Sequence, residues 1–160
     1  MARVKKTNAM RVLDAQDVPY EVITFPDSIH DAIGVADYAG LTHDHVYKTL
    51  VAEADESGHK PMLIMVGGDK ELDLKKIAAA VGVKKCHMAR RADAEKMTGL
   101  LAGGISPLAL LNRGFDIYID RPALDLPYIV ISAGKRGLNV KLGVDDLIRV
   151  TEAQAVDVGA

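Results

Sequence analysis

A chain of 160 residues with 49% hydrophobic and 26% charged side chains has the size and composition of one globular domain able to bury a core. Its net charge of −2 argues against tight, unaided binding to RNA or DNA, because neutralising phosphates supplies most of that affinity and requires a basic surplus. The single cysteine, Cys86, excludes an internal disulfide and, with no second cysteine beside it, argues against a structural zinc site.

Arg3, Lys5 and Lys6 open the chain, but a polar segment follows where a signal peptide would place an apolar run. The longest apolar runs, 62–66 and 128–131, fall far short of the roughly 20 residues needed to cross a bilayer. No membrane contact is expected, and a cytoplasmic location follows. Thr7 or Asn8 caps a first predicted helix reaching Ala15, with Met10, Leu13 and Val12 on its apolar side. Residues 20–25 read as a strand between Pro19 and Pro26. A second helix covers 31–39 and stops at Gly40. Residues 47–54 and 61–66 form a predicted hairpin around the turn Glu56-Ser57-Gly58.

Asp73 opens a helix carrying Leu74, Ile77, Ala78 and Val81, and Gly82 supplies its left-handed stop. A strand is expected over 84–88 and a short helix over 93–98. The glycine-rich stretch 99–107 cannot be regular throughout. Three strands follow closely, over 115–120, 128–132 and 138–142, and a helix over 144–151 closes the series. Helices come early and strands crowd the end, which favours an α+β (mixed α/β) fold with a mixed, largely antiparallel sheet. With no repeat, low-complexity tract or linker in 1–160, no domain boundary is drawn. The basic stretch Lys75, Lys76, Lys84, Lys85, Arg90 and Arg91 reads first as a solvated surface.

The strongest local signal is Gly103-Gly104-Ile105-Ser106-Pro107. Paired glycines let backbone N–H groups approach a ligand with no Cβ in the way, and such groups bind a carboxylate, a phosphate or a developing oxyanion. Pro107 fixes its own φ and biases Ser106 toward an extended shape. The same residues also suit a plain tight turn. Lys48, sharing a strand face with Val46, Leu50 and Ala52 by period-two alternation, either snorkels to water or points a cation into a pocket. Thr49 faces the other way unless a bulge turns it. The connection 132–139 holds Gly134, Gly137, Lys135 and Arg136, which fits an exposed turn or an anion-binding rim. Ser132 ends an apolar strand there.

Other candidates carry less. Cys86 and His87 point to opposite faces of a strand and make a poor nucleophile–base pair. His43 and His45 lack a third metal ligand. Neither a phosphate-loop nor a dinucleotide glycine fingerprint is present, and no Gly-x-Ser-x-Gly elbow occurs. No metal and no cofactor are expected.

Val46-Tyr47-Lys48-Thr49-Leu50, Leu72-Asp73-Leu74-Lys75-Lys76, Thr98-Gly99, Gly103-Gly104-Ile105-Ser106-Pro107-Leu108 and Ser132-Ala133-Gly134-Lys135-Arg136-Gly137-Leu138, in this order, resemble the YbaK/EbsC family. Its members are free-standing relatives of the editing domain inserted in bacterial prolyl-tRNA synthetases. The resemblance runs from about Arg11 to Thr151. It implies a mixed fold with a curved, barrel-like sheet and deacylation of misacylated tRNA in trans, typically of cysteine on tRNA(Pro). The partners implied are the 3′ end of aminoacyl-tRNA and prolyl-tRNA synthetase. By the same resemblance Lys48 takes the family's essential lysine role, and Gly103 and Gly104 hold the aminoacyl carbonyl. Phe25, Thr49, Ile105, Ser106, Pro107, Ser132, Gly134 and Asn139 surround the substrate. Phe25 stands where well-known members have tyrosine, and Asn139 where they often have aspartate. A substrate thiol that attacks its own ester needs positioning and carbonyl polarisation, not a protein nucleophile. The alternatives are a deacylase for another small amino acid such as alanine, an enzyme acting on another acyl or phosphate ester, and a non-catalytic module binding aminoacyl-tRNA or a nucleotide.

Overall fold

The computed structural model describes residues 5–160, so Arg3 lies outside the described residues. α1 (Asn8–Ala15) begins where the Thr7 hydroxyl accepts a hydrogen bond from the Met10 amide at 3.2 Å. It buries Ala9, Met10 and Leu13, the i, i+3 and i, i+4 spacing of one helix face. β1 (Tyr20–Thr24) follows. α2 (Ala32–Ala39) is capped by Asp31, whose carboxylate accepts from the Gly34 amide at 2.6 Å. β2 (Tyr47–Ala54) and β3 (Met62–Gly67) form the expected antiparallel hairpin. β3 is buried along its whole length, as its uninterrupted apolar run requires of a central strand.

α3 (Leu74–Val81) starts at Asp73, which accepts from the Lys75 and Lys76 amides, and ends at left-handed Gly82. β4 (Cys86–Met88) and α4 (Arg91–Thr98) come next. β5 (Asp116–Asp120), β6 (Tyr128–Lys135), β7 (Leu138–Gly143), α5 (Val144–Thr151) and β8 (Gln154–Val156) complete the order.

The mixed α/β class stands, with one difference from the single barrel-like sheet expected. The strands form two sheets, β1-β7-β6 and β4-β2-β3-β5-β8, which meet at a parallel bridge between Val46 and Val130. The smaller sheet is antiparallel throughout. In the larger one β5 lies parallel to β3 and β8 parallel to β5. The three late strands therefore do not share a sheet: β6 and β7 pair with each other, whereas β5 crosses into the larger sheet after α3, β4 and α4, the long connection that parallel pairing needs.

β8, unforeseen from the sequence, is fixed by Asp120. Its carboxylate, 1% exposed, accepts from the amides of Val158 and Gly159 at 3.0 and 3.1 Å. Aliphatic residues fill the core, as the shortage of aromatics demands: Met10, Leu13, Ile129, Ile131 and Leu147 on one side, Ile64, Val66 and Ile77 on the other. No helix among the described residues is long and apolar enough to cross a membrane.

Candidate active site

A cavity of about 570 Å3 opens between the two sheets. β2 supplies one wall, from Tyr47 to Val51. β4 pairs only with Ala52, Glu53 and Ala54 of β2, so no strand covers the Lys48–Leu50 stretch on that side. This open edge is why residues of both parities, Lys48 and Thr49 alike, line the cavity with no bulge in the pairing to β3. Ser132 and Asn139, register partners on β6 and β7, contribute from the smaller sheet. The first turn of α2 with Ile29 and His30 closes one end, bringing the partial positive charge of a helix N-terminus. Met88, Ala89, Arg91 and Ala94 form the opposite side, and Ala102, Gly103 and Ile105 complete the ring.

The glycine loop is shaped by what it touches. Gly103 has φ +85°, and a Cβ there would lie 2.9 Å from the His30 carbonyl oxygen. At Gly104 a Cβ would stand 3.0 Å from the Arg136 amide nitrogen. The paired glycines thus let the loop pass between the His30 backbone and the β6–β7 turn. Two side chains hold it there. Glu95 accepts from the Ala102 amide at 2.7 Å, and Arg136 donates through Nε to the Ala102 carbonyl at 2.7 Å. Gly104 donates its own amide to Leu101.

Of the residues singled out from the sequence, Lys48, Thr49, Gly103, Ile105, Ser132 and Asn139 come together on this cavity. Gly104 and Gly134 face a second, neighbouring one. Phe25, Ser106 and Pro107 line neither. Phe25, without a hydroxyl to place, packs with Val35, Ala36, Val46 and Val130. Ser106 is fully buried and its hydroxyl accepts from the Leu108 amide, starting the short turn Pro107–Ala109. These two residues shape the loop from behind. The sequence did not single out His30 or Asp31 as site residues, although the resemblance extends loosely over 27–33, and Arg91 read only as part of a solvated basic stretch. Nothing local said that the start of α2 would face β2.

Lys48 joins no ion pair among the described residues, leaving its ammonium for a ligand. Asp31 is engaged as the α2 cap. The Ser132 hydroxyl accepts from the Gly134 amide at 3.1 Å, which leaves its own proton to donate. Thr49 Oγ1 is enclosed and has no partner, a condition that costs about 1–3 kcal/mol until an acceptor or donor arrives. Burial, with the fields of Asp120, Asp69 and Asp44, pushes the Tyr47 phenol up to about 12, so it stays protonated and is no base. Cys86 lies outside the cavity, its thiol pushed up by burial, while His87 turns outward to Asp55 and Glu53. His43 bonds Asp37, and no cluster of metal-ligating side chains occurs among the described residues. The chemistry on offer is a cation, hydroxyls and backbone amides around the cavity.

The family described as "Aminoacyl-tRNA editing domain" matches residues 27–150, a span that contains every residue lining the cavity. The chain belongs to that family. A relative named "Putative Cys-tRNA(Pro)/Cys-tRNA(Cys) deacylase EbsC", from Enterococcus faecalis, is 35% identical over 96% of this chain and 93% of its own length. A proline–tRNA ligase of Maridesulfovibrio salexigens is 28% identical over 95% of this chain, in a segment that makes up 27% of the ligase. The editing-domain fold is also seen in a crystal structure described as that of "a putative trans-editing enzyme for prolyl tRNA synthetase". It covers 98% of this chain and 99% of its own, with a TM-score of 0.80 and 24% identity.

Proposed function

We propose that this chain deacylates misacylated tRNA in trans, and that its substrate is cysteine attached to tRNA(Pro). The observation that carries the reading is the convergence of Lys48, Gly103 and Ser132 on one cavity, in a chain 35% identical to the EbsC relative. The cavity holds no cysteine and no hydroxyl bonded to a histidine, so the protein's part is to hold and polarise an ester. Lys48 meets the oxygens at the 3′ end, and loop amides near Gly103 stabilise the charge that develops on the carbonyl oxygen.

With cysteine as the acyl group, the substrate sulfur adds to its own carbonyl carbon. The ester C–O bond then breaks, the ribose oxygen leaves as a hydroxyl after taking the thiol proton, and a four-membered thiolactone departs. Holding the thiol over the carbonyl supplies the rate, because an intramolecular reaction in a fixed geometry needs little other catalysis. The apolar side formed by Val51, Met88 and Ala94 suits a small side chain. Prolyl-tRNA synthetase is the natural presenter of the tRNA, since a chain of net charge −2 lacks the basic surplus for tight RNA binding alone.

The test incubates cysteinyl-tRNA(Pro) and alanyl-tRNA(Pro) with the protein and with Lys48→Ala. Wild type should release cysteine faster than alanine, and the substitution should slow release by about 10- to 100-fold, the loss of one charge-assisted hydrogen bond. No ester loss above background, or loss indifferent to Lys48, overturns the reading.

A further inference from the structure

The glycine loop has a second side. Behind it lies another cavity of about 530 Å3, lined by Asp27, Ser28, Gly99, Leu100, Leu101, Gly104 and the turn Gly134–Arg136. His30 lines both cavities, and Gly103 packs closely against its backbone. The proposed ester chemistry does not reach into this space, although the motif residues Gly99, Gly104 and Gly134 line it.

We propose that the second cavity binds the phosphodiester of the nucleotide preceding the terminal adenosine, on the same unpaired RNA strand. This rests on the reading of the first cavity as the aminoacyl-ester site. Two adjacent cations, Lys135 and Arg136, face one carboxylate, Asp27, so the lining favours an anion. Arg136 is held in place through Nε on the Ala102 carbonyl, while its Nη2 has no acceptor. A buried guanidinium nitrogen without a partner is costly, and a phosphate oxygen drawn against the same guanidinium offers the acceptor it lacks. Three glycines on the lining, Gly99, Gly104 and Gly134, keep the walls free of side chains and let a sugar–phosphate backbone come close. Leu101, 57% exposed at the rim, gives an unpaired base an apolar surface to rest on. A strand whose terminal ester sits in the first cavity runs past His30 into the second.

The experiment compares cysteinyl-CCA trinucleotide with cysteinyl-adenosine, which lacks the upstream phosphate. The variants are Lys135→Ala, Arg136→Lys and the remote control Lys60→Ala. Lys135→Ala should lower the ratio of kcat/KM for trinucleotide over adenosine by about tenfold, and should flatten the dependence of log KM on log salt by about 0.7, one single-strand phosphate contact. Arg136→Lys should lower the same ratio, because it keeps the charge and loses the fork. Lys60→Ala should leave the ratio at its wild-type value. An equal loss on both substrates would mean that these residues only support the loop, and would overturn the proposal.

If no ester is turned over at all, the deacylase reading fails separately, and binding of uncharged CCA trinucleotide followed by amide NMR still decides this one. Shifts at Gly99, Leu101 and Gly134 that Lys135→Ala abolishes support the strand site. Shifts of equal size with inorganic phosphate or adenosine monophosphate overturn it.

Discussion

Gly103 and Gly104 are adjacent, yet alanine should act on them very differently. At Gly103 the backbone sits at φ +85°, a left-handed conformation that costs an L-residue about 1–2 kcal/mol. The new Cβ would also lie 2.9 Å from the His30 carbonyl oxygen and 3.4 Å from its Cα, backbone atoms that no rotamer change can move, and such overpacking adds about 1–3 kcal/mol. The reduced freedom of the unfolded chain returns about 0.4–1 kcal/mol. A net loss of about 1–5 kcal/mol follows for Gly103→Ala. Gly104 is not in the left-handed region, and its Cβ would meet the Arg136 amide nitrogen at 3.0 Å and the Lys135 carbonyl carbon at 3.2 Å. Gly104→Ala should therefore cost only about 0–2 kcal/mol. Urea titration followed by far-UV circular dichroism gives both values by linear extrapolation, and release of cysteine from cysteinyl-tRNA(Pro) gives the functional counterpart. Because the Gly103 change displaces the loop that lines the cavity, activity should fall with stability. Identical urea midpoints for the two variants, or a Gly103→Ala protein with wild-type stability and turnover, would refute the account of the loop.

Thr49→Val removes an enclosed oxygen that has no partner. It should raise the stability of the free protein by about 1 kcal/mol while lowering deacylation, and calorimetry with a parallel rate measurement checks both. Asp120→Ala deletes the carboxylate that accepts from Val158 and Gly159. Stability should drop by about 3 kcal/mol, and hydrogen exchange should show Gln154–Val156 losing protection first. The hydrogen bond that His43 donates to the Asp37 carboxylate raises the pKa of His43 above 6.5. A raised folded value means that this contribution is complete below 6.5 and is lost as pH climbs through the folded pKa. Asp37→Asn should bring the His43 titration in NMR down toward 6.5 and remove that pH dependence of stability.

Local chemistry made much of the fold legible. Thr7 and Asp73 announced their helices because a short side chain that accepts from the next turn's amides leaves a mark in the sequence. The hairpin of β2 and β3 was readable from its turn. The division into two sheets was not, because it depends on which strands meet after a long crossover, and no residue of β5 encodes β3 as its neighbour. β8 escaped because three residues show no period, and its anchor, Asp120, lies far away in the sequence. At the site, Lys48, Gly103, Ser132 and Asn139 were visible as motif residues. His30 and Arg91 were not, since each reaches the cavity through the path of a helix end. Ser106 and Phe25, expected beside the substrate, lie packed away from both cavities, a placement that only burial and hydrogen bonding reveal.

The two sheets are bridged at Val46 and Val130 and share an apolar core that includes Tyr47, Met65, Ile129 and Ile131, and the cavity lies in the gap beside it. The width of that gap depends on the core residues that join the sheets as much as on the lining. Val46 and Val130 are both fully enclosed, beside Phe25 and Val35, and a close-packed interior passes a volume change on to its neighbours. Larger or smaller residues there would tilt one sheet against the other and resize the acyl chamber with every contacting group unchanged. Selectivity between similar amino acids can therefore drift through hidden core positions, so proteins sharing all the visible site residues need not share a substrate.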